Sequence, residues 1–322
     1  PTGTVPWQAG PVGGVVLAVI LVALLTAARH RTVRRLLAVL AAATVLGTVP
    51  VRLVASGWPP PAWLMVACDV GQGDASVLPV APGQGVVVDA GPDPAAVDGC
   101  LRRLGIRSVP LLVISHFHVD HVGGVDGVFR GRSVGAVIIP ALGQPEFGHR
   151  QVLRAAEAGH APVRTALAGE IYPIGGLRLS VLGPVRPLAN TRSDPNNNSL
   201  VLRVREGGRT LLLAGDAEED EQRTLVDAPV RRADPLRVDI LKVAHHGSAF
   251  QDPDFLDAVQ PAIAFVSVGV GNPYGHPNLT VLDRLARHGA RVLRTDVDGD
   301  LAAVELRGRL AVAVRGPGRR PP

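Results

Sequence analysis

Four metal-binding side chains fall within six positions of this chain, in the stretch Ser115-His116-Phe117-His118-Val119-Asp120-His121-Val122-Gly123-Gly124. The stretch follows directly on Val109-Pro110-Leu111-Leu112-Val113-Ile114, an apolar run that reads as a buried strand. His116 and His118 are two residues apart, so in extended backbone they point to the same side and can hold one metal ion. Asp120 and His121 lie beyond, where the chain turns, and can reach a second ion beside the first. A pair of ions in that position activates a bridging water and clamps the attacking and leaving oxygens of an ester under hydrolysis. A surface loop that happens to be rich in histidine is the bland alternative, and it accounts poorly for this order of ligands followed by Gly-Gly.

The pattern His116-x-His118-x-Asp120-His121 resembles the signature of the metallo-β-lactamase superfamily. That resemblance implies a four-layer αβ/βα sandwich with two divalent metal ions, zinc or manganese, at one edge. It leaves the substrate open, because the fold hosts lactamases, lactonases, phosphodiesterases and nucleases.

Two later segments repeat the theme of a buried strand that stops at a ligand. Leu211-Leu212-Leu213-Ala214-Gly215-Asp216 ends in a carboxylate that can cap the following helix or, as the superfamily resemblance implies, bridge both metals. Lys242-Val243-Ala244-His245-His246-Gly247-Ser248 ends in two histidines, one to complete the metal shell and one to face the substrate as acid or donor. Neighbours on a strand point to opposite sides, so both can be ligands only if the chain turns there, and the sequence leaves that choice open. His276, in Asn272-Pro273-Tyr274-Gly275-His276-Pro277, reads as a further positioned site residue.

Two features depart from the lactamase pattern. The third histidine of the first metal has only His149 and His160 as candidates, in segments that look helical or loop-like. In its place stands Asp194-Pro195-Asn196-Asn197-Asn198-Ser199-Leu200-Val201, where Asn198 and Ser199 can contact a phosphate, or simply form an Asn-rich turn. With fewer nitrogen ligands, manganese competes better with zinc. The second feature is Asp69-Val70-Gly71-Gln72-Gly73-Asp74, whose glycines let backbone N–H groups approach an anionic ligand, though a plain hairpin turn explains them nearly as well.

Taken in order, these motifs resemble the C-terminal domain of the ComEC family of DNA-uptake competence proteins, over roughly Leu64 to Leu306. The resemblance implies an extracytoplasmic nuclease that degrades one DNA strand while the other enters a membrane channel. Its partners would be DNA, the membrane, the missing N-terminal channel portion and other DNA-uptake proteins. On that reading His116, His118, Asp120, His121, Asp216 and one of His245 and His246 hold metal. Asp120 also orients the nucleophile, and His246, His276, Asn198 and Ser199 serve catalysis. Asp89 orients a ligating histidine, and Asp69, Gln72, Asp74 and Lys242 stand in the second shell or contact the substrate.

The elements that must position these residues alternate between strand and helix. Strands are predicted over 64–70, 75–80, 85–91, 134–139, 177–182, 200–205, 210–214, 238–244, 262–268, 291–294 and 301–306. Helices are predicted over 93–104, 151–158, 218–225, 254–259 and 279–288. Ahead of this lie two uncharged runs, Pro11 to Ala28 and Leu36 to Val51, separated by an arginine cluster, which read as a transmembrane hairpin with its basic turn in the cytoplasm. Trp58-Pro59-Pro60-Pro61 reads as a stiff exit linker, with Trp58 and Trp63 as interfacial aromatics. The predicted division is therefore a hairpin and linker over 1–62, a hydrolase domain over 63–308 and a tail over 309–322. The chain starts at proline rather than methionine, which reads as the C-terminal piece of a longer protein.

Charge argues for restraint about nucleic acid. Residues 1–62 carry five arginines and no acid, which accounts for the net charge of +5 and leaves 28 basic against 28 acidic side chains in the remainder. A basic face would have to arise from folding. Cys68 and Cys100 allow one disulfide outside the cytoplasm and exclude a disulfide framework or a cysteine-based zinc finger. Two other functions compete with the uptake nuclease: a membrane-anchored esterase for another extracellular ester, such as a phosphorylcholine ester or a lactone, and a metal-binding scaffold that guides DNA without cutting it.

Overall fold

The computed structural model describes residues 11–27, 30–36, 38–40, 42–43, 57–228 and 234–316. These form two compact units that divide between Gly57 and Trp58. In the first, Pro11–Ala27 is an uncharged helix of 17 residues. No helix among the described residues is long and apolar enough to cross a membrane. Most of the second apolar run lies outside the described residues, so the expected two-span hairpin is not shown.

The second unit holds two sheets face to face, each covered outside by helices. One sheet runs Arg309–Arg315, Asp300–Leu306, Trp63–Ala67, Ser76–Ala81, Gln84–Val88, Leu112–Val113, Val137–Ile139, Val163–Thr165. The other runs Arg291–Arg294, Ile263–Val266, Ile240–Lys242, Arg209–Leu213, Val201–Glu206, Leu177–Gly183, Ile171–Ile174. Strand alternation builds three apolar layers from these two sheets. Met65, Ala67, Val86, Val88, Leu211 and Leu213 fill the layer between the sheets. Val66, Cys68 and Val87 face out beneath helices Pro94–Arg103, Val125–Phe129 and Glu146–Ala158. Leu212 and Ala214 do the same beneath Glu219–Asp227, Pro253–Val259 and Leu279–Arg287. With both faces covered, the central strands read as unbroken apolar runs. This is the αβ/βα sandwich that the histidine signature implied.

Several boundaries differ from the sequence reading for local reasons. Pro110 has no N–H for the ladder, so the run Val109–Ile114 splits into Ser108–Val109 and Leu112–Val113. Likewise the stretch 134–139 divides into Ser133–Val134 and Val137–Ile139, with Gly135 pressed against Pro110. The tail expected from residue 309 begins later, because Arg309–Arg315 completes the sheet as an edge strand against Asp300–Leu306. Residues 317–322 lie outside the described residues. Trp58 and Trp63, expected at a membrane interface, instead pack against the outer core of the first sheet. Cys68 and Cys100 form a disulfide that joins the end of the first strand to the helix Pro94–Arg103.

Candidate metal centre

In both sheets the middle strands are parallel, and their carboxyl ends meet at one edge of the sandwich, where such folds collect ligands. Asp89 follows Gln84–Val88, Ser115 follows Leu112–Val113, Asp216 follows Arg209–Leu213 and His245 follows Ile240–Lys242. Each strand therefore delivers a polar residue to the same edge while its body stays in the core.

Asp120, His121, Asp216 and His246 each offer a ligand atom within 4.8 Å of the others. His121 Nε2 stands 3.2 Å from Asp216 Oδ1, and His246 Nε2 stands 3.1 Å from Asp120 Oδ2 and 3.6 Å from Asp216 Oδ2. His116 Nε2 lies 3.8 Å from Asp216 Oδ2 and 2.9 Å from His118 Nδ1. Asp216 thus sits between two groups of imidazoles, one oxygen toward His121 and the other toward His116 and His246. His121 Nε2 and Asp216 Oδ1 are both buried and face each other without a well-formed hydrogen bond, an arrangement that suits two ligand atoms directed at one cation.

A second layer fixes the rings. Asp89 Oδ2 lies 2.9 Å from His121 Nδ1, and Asp89 itself accepts from the Ser115 backbone N–H and hydroxyl, each at 2.7 Å. His246 Nδ1 faces the Ser267 carbonyl at 3.0 Å and Asp74 Oδ1 at 3.3 Å. Lys242, buried in the sheet, reaches the other Asp74 oxygen at 2.7 Å. Holding the outer ring nitrogen of each histidine turns the inner one toward the centre.

The chain does turn at the histidine pair: His245 and His246 take φ of 47° and 54°, left-handed backbone that costs a non-glycine residue about 1–2 kcal/mol each. His246 enters the ligand cluster, while His245 Nε2 stands 4.0 Å from Asp216 and its Nδ1 is 3.1 Å from Glu218 Oε1. Gly215, at φ 52°, has Ser115 and Ser199 so close that a Cβ would lie 2.9 Å and 3.0 Å from theirs. That gap lets Asp216 reach the centre.

Charge balance explains the titration of this cluster. Burial pushes Asp74 up, yet Lys242 and His246 bring it down to about 2. Burial opposes a charged His246, but Asp216, Asp74 and Asp120 lift it to about 10. His121 is raised in the same way, against burial, by Asp216 and Asp89. Burial and the neighbouring His121 hold His116 far below the usual imidazole range. Of buried Asp74 and Asp216 and half-buried Asp120, only Asp74 meets a fixed cation among the described residues, Lys242; the remaining positive charge must come from protonated imidazole or from a bound cation.

Not every expected residue is at the centre. Asn198 turns its amide to Leu188 and to the Asp194 carbonyl, holding the loop together. The Ser199 hydroxyl accepts from the Asp216 N–H at 3.3 Å, behind the carboxylate rather than in front of it. Asp69 lies elsewhere, lining a separate cavity with Arg103, Asp300 and Arg315, and its backbone N–H bonds Asp300. At Gly73 a Cβ would stand 2.2 Å from the Asp120 carbonyl, so the glycine is needed for the packing of two backbones. Neither His149 nor His160 supplies a third ligand. The His149 ring packs against Phe117 at a tilt of 51°, and His160 is exposed after the helix that the sequence placed it near.

A cavity of about 570 Å³ opens on the ligands. Gln72, His118, His276 and Asp120 line it as expected, and Asn196 and Tyr274 join them. Glu218, buried beside His245, and Asn196, which donates to it at 3.0 Å, escaped the sequence reading. Their only signal was an acid two residues past Asp216 and a triplet of asparagines whose inward member cannot be told from sequence.

Residues 68–257 match the family model described as "Metallo-beta-lactamase superfamily". The chain belongs to that superfamily. Its fold is one of metal-dependent hydrolases, and the ligand cluster described above fits divalent metal. Among curated proteins, it is 32% identical over 202 residues to ComE operon protein 3 of Bacillus subtilis (strain 168), which covers 62% of this chain and 25% of that protein. It is 34% identical over 237 residues to Competence protein ComA of Neisseria gonorrhoeae, covering 72% of this chain and 31% of that protein. The chain thus spans a quarter to a third of these relatives, and the ComEC resemblance read from the motifs is borne out by them. Among solved structures, Zn(2+)-bound PqqB from Methylobacterium extorquens aligns at a TM-score of 0.49 and 11% identity, over 72% of this chain and 98% of that one.

Proposed function

We propose that this domain is the nuclease of a membrane DNA-uptake system, hydrolysing phosphodiesters of an incoming DNA strand on the extracytoplasmic side. The observation that carries the hydrolase reading is the convergence of Asp120, His121, Asp216 and His246 within 4.8 Å, with His116 and His118 adjoining. What supports DNA as the substrate is the pair of curated relatives named for competence. The two apolar runs, read from the sequence as a membrane hairpin, belong to the same reading.

On this reading His116, His118 and Asp216 form one ligand set, and Asp120, His121, His246 and Asp216 the other. Two divalent ions there, manganese or zinc, supply Lewis-acid polarisation of the phosphoryl group and a water of lowered pKa. The chain's own residues do the rest. Asp89 and Asp74 keep His121 and His246 turned with Nε2 inward. Asp120, at the first turn of a short helix and partly exposed to the cavity, holds and orients the attacking water. His276, lowered to about 4 by burial and by His245 and His246 nearby, stays neutral and offers a ring N–H to the phosphate or leaving oxygen.

The test is hydrolysis of single- and double-stranded DNA and of a small phosphodiester by the full chain loaded with manganese or zinc, against the His116→Ala/His118→Ala double variant. Cleavage of DNA should fall at least a hundredfold in the variant. One observation favours the esterase alternative: among the described residues no Lys or Arg lines the cavity. Turnover of the small ester with DNA left intact would establish that alternative, and metal binding with neither activity would establish the scaffold.

A further inference from the structure

The cavity over the ligands has a feature that metal chemistry does not use. Tyr274 is 67% exposed there and Val119 62%, and Pro92 and Pro273 join them in the lining. Large apolar side chains left this open beside a metal centre lose hydrophobic contact that a ligand can restore. Tyr274 is also held in place. Asn272 Oδ1 accepts from the backbone N–H of Tyr274 at 3.2 Å and of His276 at 3.3 Å, while Asn272 Nδ2 donates to the carbonyls of Gly269 and His276. The rings form a chain leading inward: Tyr274 lies 6.0 Å from His276 with planes 30° apart, and His276 lies 6.1 Å from His246, stacked.

We propose that Tyr274, with Pro273, Pro92 and Val119, is a stacking platform for one unpaired nucleobase flanking the phosphate at the metal centre. The substrate class is then single-stranded nucleic acid. This rests on the phosphodiesterase reading above and deepens it. With no Lys or Arg among the described lining residues, the phosphates find no fixed cationic side chain there, and affinity must come from elsewhere. Stacking of a base on an exposed aromatic ring is indifferent to base identity and strengthens binding roughly 5- to 150-fold. A paired base keeps its faces inside the duplex, so reaching Tyr274 requires unstacking first. A duplex therefore gains nothing from the platform until it opens.

The experiment measures binding and cleavage separately on the full, metal-loaded chain. Fluorescence anisotropy with labelled oligothymidylate should show Kd about tenfold weaker or more in Tyr274→Ala, and little altered in Tyr274→Phe, which keeps the ring. The same oligonucleotide carrying abasic sites should bind wild type about as weakly as the normal one binds Tyr274→Ala, and the two changes together should add little to either. In cleavage, the rise in KM caused by Tyr274→Ala should be at least tenfold greater for oligonucleotide than for a small phosphodiester. Equal Kd in Tyr274→Ala and wild type, or full additivity of the variant and the abasic substrate, overturns the platform. Binding that depends on Tyr274 with no DNA cleavage overturns the nuclease reading and leaves the platform standing.

Discussion

Asp89 is the residue through which the metal centre is held to the core. It takes φ of 61°, unusual for a non-glycine residue, just past a strand that is buried from Gly85 to Val88. Its two oxygens are shared between Ser115 and His121, so one carboxylate fixes both the backbone entering the histidine motif and the ring that ends it. Burial pushes its carboxyl up, opposed by the charge of His121 and by its hydrogen bond. Asp89→Asn keeps the shape but can present an N–H where an acceptor is needed, freeing the His121 ring to take the wrong tautomer. We expect about 10- to 100-fold weaker metal affinity, measured by calorimetric titration, with unchanged far-ultraviolet circular dichroism. Unaltered affinity would show that His121 is held without Asp89.

At the scale of elements, the disulfide Cys68–Cys100 ties the strand that leads into Asp74 to the helix that follows Asp89. Both cysteines are fully buried, so a reductant meets them only when this corner opens. With a sequence separation of 32, the loop-entropy account gives about 3–4 kcal/mol of stabilisation. Cys68→Ala/Cys100→Ala should therefore lower the urea midpoint of unfolding, and an unmoved midpoint would show that the bond contributes nothing. The bond itself was left open by the sequence, because two cysteines do not reveal whether their strand and helix touch. Elements with apolar periodicity were legible: the helix Pro94–Arg103 starts where Asp93 caps it, and Leu211–Leu213 lies between two layers as its unbroken run requires. What escaped was set by tertiary contact. Val163–Thr165 and Ile171–Ile174 are short edge-region strands with little apolar pattern. Whether Asn196 or Asn198 faces the cavity depends on a 3-10 turn over Asn196–Asn198. The clustered histidines and aspartates were legible because such side chains have few other uses at strand ends; their supporting shell was only partly so, since Glu218 and Ser267 carry no such mark.

Over the whole sandwich, the two sheets also meet at the ends of Val201–Glu206 and Asp300–Leu306. There Arg209 bonds Glu305 at 2.8 Å across the sheets, while Glu206, with a buried oxygen that lacks a partner, lies near the same Glu305. Burial first, and Glu305 second, raise Glu206 to about 7. A carboxyl raised in the folded state favours folding at low pH: the protein is least burdened below the ordinary value near 4.5 and loses stability as pH rises from there through about 7. Glu206→Gln should remove that loss, raising Tm at pH 8 by a few degrees and leaving it nearly unchanged at pH 4.5. A gain equal at both pH values would assign the effect to packing rather than charge. Lys242 has a different consequence. It is the only lysine in the sequence, and its ε-ammonium is sealed beneath Asp74 at the heart of the sandwich. The folded domain therefore offers no side-chain amine to its surroundings: acylating reagents, amine crosslinkers and lysine-directed proteases reach its one lysine only in molecules that have come apart.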